Sequence, residues 1–221
     1  MCRHRKGWKF GMFLAACFLI AAASTAGDAL AKPPKGGGVA GNCDWMNATL
    51  PTPFAPWGDD GQYFLMSGGD FQGDMSDWTL ENGAGLVAGN ESYQIGSPSD
   101  SQSLLLPSGS SVTTPTVCVT AQSPDLRLAV LKSGVRDAKL RVYLNFTDDK
   151  GNPRTQKLKD LAGSDSWTLT DPLKFLGPVN NILKRNGQTT VSFTFAVEAK
   201  NDSQDAAWQI DDLYVDPYKS G

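Results

Sequence analysis

Histidine is all but missing from this chain. The single residue, His4, lies in a basic and apolar opening segment that reads as an export leader, so the mature chain holds none. Without an imidazole there is no Ser-His-Asp or Cys-His nucleophile system, and no histidine-ligated zinc or haem. Cysteine is scarce as well. Of the 4 in the chain, Cys2 and Cys17 belong to the leader, leaving Cys43 and Cys118. In an exported protein an even pair reads as a disulfide that ties the N-terminal segment to a core strand. Two separate buried thiols are the other reading. Basic residues are absent from a long stretch: none occurs between Lys35 and Arg127, while ten acids fall from Asp44 to Asp125. From Arg127 onward 14 basic residues face 12 acidic ones. The mature chain therefore carries a net charge of −6, and its acidic half offers no positive footprint for nucleic acid or an anionic membrane. The acids are either a solvated face or oxygen ligands for calcium.

The leader is assigned to residues 1–31. Arg3, Arg5, Lys6 and Lys9 form its basic end, Phe10 to Ala23 its apolar run, and Ala29-Leu30-Ala31 a small-x-small cleavage site. That run falls short of the roughly 20 residues that span a bilayer, so no membrane insertion is expected after cleavage. Residues 32–42 (KPPKGGGVAGN) lack large apolar groups and read as a flexible tether. Residues 43–221 remain as one domain.

Within that domain the pattern is all-β. Val191, Phe193, Phe195 and Val197 alternate with Ser192, Thr194 and Ala196, as a half-buried strand requires. Leu140, Val142, Leu144 and Phe146 alternate with Arg141, Tyr143 and Asn145, and Leu126, Leu128 and Val130 make a third run. The cluster Asp148-Asp149-Lys150-Gly151-Asn152 predicts a hairpin reversal, and Lys200 to Asp205 a second one before a final strand Trp208–Val215. Shorter strands are expected around Leu86–Val87, Leu104–Leu106, Val117–Val119 and Trp167–Leu169. One short helix is expected where Leu176, Val179, Ile182 and Leu183 share a face and Gly187 follows as a stop. Short strands with frequent turn signals predict an antiparallel β-sandwich, or jelly roll.

Five segments carry a resemblance: Phe54-Ala-Pro-Trp-Gly-Asp59, Gly68-Gly69-Asp70-Phe71-Gln72-Gly73, Trp78-Thr-Leu, Ser103-Leu104-Leu105-Leu106-Pro107 and Trp208-Gln-Ile-Asp-Asp-Leu-Tyr-Val-Asp-Pro217. Together they resemble a family of uncharacterised secreted actinobacterial proteins, themselves similar to jelly-roll carbohydrate-binding modules of the galactose-binding-like fold. The resemblance spans about residues 43–218. It implies a structural Ca²⁺ between the start of the first strand and the last strand, at Asp70, Gln72, Asp211 and Asp212. The family pattern usually has Glu where this chain has Gln72, and the lost charge weakens such a site. Strict alternation would send one of Asp211 and Asp212 to each face of the last strand, and a buried carboxylate there requires a partner.

Sugar-binding surfaces stack pyranose faces on aromatic rings, and the ring candidates here are Trp45, Trp57, Tyr63, Tyr93 and Tyr143. Trp57, Tyr63 and Tyr143 are taken as the carbohydrate-binding set. Pro56-Trp57-Gly58 is loop-like and leads into Asp59 and Asp60, although Trp57 also reads as a packed lid. Tyr143 points away from Leu140 and Val142. Trp78 and Trp208 belong to the core. The expected function is non-catalytic binding of a polysaccharide or glycan, secreted or associated with the cell envelope. The alternative is a structural or adhesive envelope protein with a protein partner. A carboxylate-based glycoside hydrolase comes third and would need two acids roughly 5–10 Å apart in a cleft.

Overall fold

A computed structural model of the chain describes residues 43–123, 125–134, 138–198 and 206–216. The leader, the tether and the reversal at 200–205 lie outside the described residues. The strands are β1 (Phe64–Leu65), β2 (Thr79–Glu81), β3 (Gly85–Ala88), β4 (Gln102–Pro107), β5 (Ser111–Thr113), β6 (Val117–Thr120), β7 (Asp125–Ser133), β8 (Lys139–Thr147), β9 (Pro153–Leu161), β10 (Thr168–Leu169), β11 (Leu173–Lys174), β12 (Gln188–Glu198) and β13 (Ala207–Asp216). Helix α1 is Leu176–Asn186, and short 3₁₀ turns cover Asp44–Asn47 and Ala55–Trp57.

Every strand pairing is antiparallel, and the strands fall into two sheets. Sheet A runs β10-β7-β13-β4-β3, with β1 joined to β13 and β11 to β7. Sheet B runs β2-β5-β12-β8-β9, with β6 joined to β12. The chain crosses from one sheet to the other several times, which makes the sandwich a jelly roll and not a meander. Its core is the inner half of each alternating strand. Leu140, Val142 and Leu144 of β8, Phe193 and Phe195 of β12, Leu126, Leu128 and Val130 of β7, and Ile210 of β13 are all fully buried. Burial of each such side chain contributes about 1.5–3 kcal/mol relative to exposure. Trp78 and Trp208 lie in this core.

Helix α1 closes the same core through Val179, Ile182 and Leu183. It ends at Gly187, whose φ of 74° is the left-handed stop that glycine adopts without a Cβ penalty. The 148–152 reversal forms between β8 and β9. The Asp148 carboxylate accepts from the Lys150 and Asn152 backbone N–H groups, each at 2.9 Å. These donors, with Arg154, hold the Asp148 carboxyl down at about 2.

Cys43 and Cys118 are joined in a disulfide across 75 residues of sequence. Trp45 packs beside it, and its indole N–H donates to the Cys118 carbonyl at 3.0 Å. The bridge thus staples the N-terminal segment to β6. In the chain-entropy account a loop of this length contributes about 4–5 kcal/mol. Replacing both cysteines by serine is therefore expected to lower the denaturant midpoint by that equivalent. An unchanged midpoint would show the bridge to be dispensable.

Candidate functional site

The outer faces of the two sheets differ. On sheet A the outward side chains are roofed over by the segments 51–63 and 89–101. Phe54 and Tyr214 meet edge to face at 5.6 Å, and both are buried. Arg127 of β7 lies over the Phe54 ring at 4.4 Å, donates to the Thr170 carbonyl at 3.0 Å, and is ion-paired with Asp59. The Tyr63 hydroxyl donates to Asp59 at 2.7 Å. Tyr63 is only 1% exposed, so it cannot offer a ring face to a sugar. This corrects its place in the carbohydrate-binding set: the ring is part of the roof over sheet A.

Asp59 is the hub of that roof. Burial raises its carboxyl, but the Tyr63 and Gly61 hydrogen bonds and the Arg127 charge outweigh burial, and its pKa lies below the ordinary value. A carboxylate with a depressed folded-state pKa stabilises the fold above the unfolded value of about 4, and that stability is lost as pH falls through the folded value. Asp59→Asn is accordingly expected to flatten the acid limb of the stability curve below about pH 4. Parallel acid limbs for the two proteins would contradict this account.

Trp57 is 38% exposed at the end of this roof, with its ring edge to face with Tyr93 at 5.3 Å. The Tyr93 hydroxyl donates to the Trp167 carbonyl at 3.0 Å. Trp57 and Tyr143 lie on opposite outer faces of the sandwich, so the structure does not bring them into one site.

A second feature lies where β13 breaks its register. Alternation fails between Asp211 and Tyr214, where a bulge gives Asp212 a φ of 52°. As a result both carboxylates are buried, Asp211 at 0% and Asp212 at 1% exposure, contrary to the one-per-face expectation. Asp211 is well supplied with donors. It accepts from the backbone N–H of Glu91 and of Asp212, each at 3.0 Å. It also accepts from Asn90 at 2.9 Å once that amide is turned to face it. Asp212 is not: neither of its oxygens receives a hydrogen bond. Burial first, then the charges of Asp211, Glu91 and Asp100, drive its carboxyl far above the carboxylate range, with the Gly96 N–H nearby easing this only in part.

Asp100 approaches from the 97–100 turn. A Cβ placed on Gly96 would lie 2.8 Å from Asp212 Oδ1 and 2.8 Å from Asp100 Oδ2, so oxygens of two carboxylates converge where glycine leaves room. The Tyr214 hydroxyl is raised by burial and then by the charges of Asp212, Asp70, Asp100 and Glu91.

The residues fit a hard cation in part. A buried carboxylate with no donor, facing a second carboxylate, is what an oxygen-ligated ion satisfies. Among the described residues, however, no three Asp, Glu, His or Cys side chains are gathered closely enough to hold a metal as they stand. Gln72 departs from the expected ligand set. Its amide nitrogen donates to the Asp70 and Gln102 carbonyls, each at 2.8 Å, and its oxygen accepts from the Ser101 N–H at 2.9 Å. It fastens loop to strand and has no lone oxygen to give. Glu91 and Asp100 were not legible as members of this cluster, because loop acids carry no periodic signal.

On sheet B the outward side chains of β2, β5, β12, β8 and β9 stay half-buried or exposed, whereas those of β6, Cys118 and Thr120, are buried, Cys118 beside Cys43 and Trp45. Strand register sets Thr79, Thr113, Thr194, Tyr143 and Lys157 in one row across β2, β5, β12, β8 and β9. At the usual strand spacing that row is about 20 Å long. Beside it lie Arg141 opposite Asp160, and Asn145 opposite Thr155. The hydroxyls are oriented by one another. Thr113 and Thr194 share a hydrogen bond of 2.7 Å, Asn145 donates to Thr194 at 2.8 Å, and Thr155 donates to Asn145 at 2.8 Å. Each hydroxyl and amide keeps spare capacity for a ligand.

No family model matches this chain, and no curated protein matches it in sequence. Among solved structures it is similar to carbohydrate-binding modules. One is the CBM22-1 xylan-binding domain from Paenibacillus barcinonensis Xyn10C, at TM-score 0.46 and 14% identity, covering 73% of this chain and 97% of that one. Another is the family 22 module of Clostridium thermocellum Xyn10B, at TM-score 0.38 and 13% identity, covering 66% and 90%. A third is TmCBM61 in complex with beta-1,4-galactotriose, at TM-score 0.38 and 16% identity, covering 70% and 97%.

Proposed function

We propose that the protein is an exported, non-catalytic module that binds glycan on the outer face of sheet B. The observation that supports this is the contrast between the two faces. Sheet A is roofed by buried aromatic and charged groups, whereas sheet B presents Tyr143 within a row of oriented hydroxyl, amide and cationic side chains. An aromatic ring flanked by fixed donors and acceptors suits a pyranose, which has an apolar C–H face and a rim of hydroxyls. Preformed polar geometry also lowers the ordering cost of binding.

A structural Ca²⁺ between Asp212 and Asp100 belongs to the same proposal, with a further oxygen drawn inward from Asp211, Glu91 or Asp70 to complete its shell. Such an ion would neutralise the carboxylates that the bulge buries. It would also lock the roof segment 91–100 to β13. Among the described residues no helix is long and apolar enough to cross a membrane, and a role at the cell surface or beyond it follows from the expected leader. A hydrolase fits less well, since the converging pair includes Asp212, which is 1% exposed and closed to a polymer chain.

A panel of polysaccharides probed with the wild type, Tyr143→Ala and Trp57→Ala tests the placement. Selective binding lost in Tyr143→Ala and kept in Trp57→Ala is expected. The reverse pattern would move the site to the Trp57 and Tyr93 edge.

A further inference from the structure

The glycan face has a charge bias that the rest of the molecule lacks. The hairpin of β8 and β9 carries Lys139, Arg141, Lys150, Arg154, Lys157 and Lys159 against Asp148, Asp149 and Asp160, whereas residues 36–126 contain no Lys or Arg at all. At the turn, Asp148 is taken by Arg154 and Asp149 by Arg185. On the sheet face, Asp160 alone is shared by Lys157 at 2.8 Å, Arg141 at 3.1 Å and Lys139 at 3.5 Å. Arg141 also pairs with Glu198. Three cations therefore meet two carboxylates at one spot, next to the one aromatic ring in the row.

The surplus positive charge is accessible: the Lys139 and Lys157 side chains are 52% and 43% exposed. Register fixes its position relative to the ring, because Lys157 stands directly opposite Tyr143. The Tyr143 side chain, ahead of the Glu198 and Asp160 charges, raises the Arg141 guanidinium further, a group that carries its charge at any working pH.

From this juxtaposition we infer that the face takes an acidic polysaccharide, with a uronate carboxylate on Lys157 and Arg141 while its sugar ring lies on Tyr143. The inference rests on the glycan reading of sheet B and names the class of glycan. A carboxylate suits the arrangement because guanidinium and ammonium donors form charge-assisted hydrogen bonds to it, and because a ring-borne carboxylate stays within one sugar of the stacking face. Asp160 is the built-in competitor for those donors. A ligand carboxylate displaces it or joins it.

The test compares polyuronates (alginate, polygalacturonate and glucuronan) with their carboxyl-reduced, neutral counterparts. It uses the wild type, Lys157→Gln and Asp160→Asn. Binding to at least one polyuronate is expected to be about tenfold tighter than to its neutral counterpart, and to weaken as salt is raised. Lys157→Gln should lose most of that preference. Asp160→Asn, by releasing Lys139 and Lys157 and leaving Arg141 paired with Glu198 alone, should tighten polyuronate binding several-fold, which a merely structural role for Asp160 would not do. Equal affinity for charged and neutral polymers would overturn the uronate assignment and leave the glycan reading standing. Binding to no polymer of either kind would overturn both.

Discussion

Chelating calcium is expected to lower the melting temperature of the wild-type protein by roughly 10 °C. An ion that binds only the folded state at a free concentration a thousandfold above its dissociation constant contributes about 4 kcal/mol. For a domain of this size each kcal/mol moves the transition by about 2–4 °C. The sign of the effect reverses in Asp212→Asn. Without the ion, the wild type buries a carboxylate that has no hydrogen-bond donor, beside Asp211 and within the field of Glu91 and Asp100. Removing that charge relieves the repulsion, so in chelator the variant should melt at or above the wild type. In calcium the wild type should melt well above the variant. Differential scanning fluorimetry in both media checks all four values. If chelator shifts neither protein, no ion is bound at the bulge. Asp212 would then be a strained and protonated structural residue.

Tyr143→Ala is expected to weaken glycan binding about thirtyfold, equivalent to about 2 kcal/mol, while leaving the melting temperature nearly unchanged. Tyr143 is half-buried on the outer face, and the core positions on either side of it, Val142 and Leu144, are untouched by the substitution. Tyr143→Phe keeps the ring and should retain most of the affinity. A comparable loss in Tyr143→Phe would assign the contribution to the hydroxyl instead of to stacking. Titration calorimetry on the three proteins separates these outcomes. Trp57→Ala serves as the control on the other face.

The alternation in β7, β8 and β12 made the sandwich legible from sequence, because a half-buried strand writes its two faces at period two. Helix α1 was legible for the same reason at its own period, with Gly187 marking its end. The pairing of Cys43 with Cys118 followed from the expected export of the chain. What alternation could not show is where it breaks. The bulge at Asp212 changes the face of a residue without leaving a signature, and so both acids of the pair are buried instead of one.

Tyr63 illustrates a second limit. A Tyr in a loop rich in Trp, Gly and Asp has the composition of a ligand site. Its burial is decided by Arg127 and Asp59, whose meeting depends on tertiary structure. Gln72 likewise reads as an oxygen donor until the Gln102 and Ser101 backbone groups that occupy its amide are in view. The cation-rich edge at Lys157 was visible as an excess of Lys and Arg after Arg127. Its proximity to Tyr143 depends on strand register, which composition does not encode.

The central claim is that ligand lies on the outer face of sheet B. Amide chemical-shift mapping during titration with a bound oligosaccharide tests it most directly. The account predicts that the perturbed amides cluster on β5, β12, β8 and β9, around Thr113, Thr194, Tyr143 and Lys157. Perturbations confined to 54–60 and 91–97, around Trp57 and Tyr93, would contradict it.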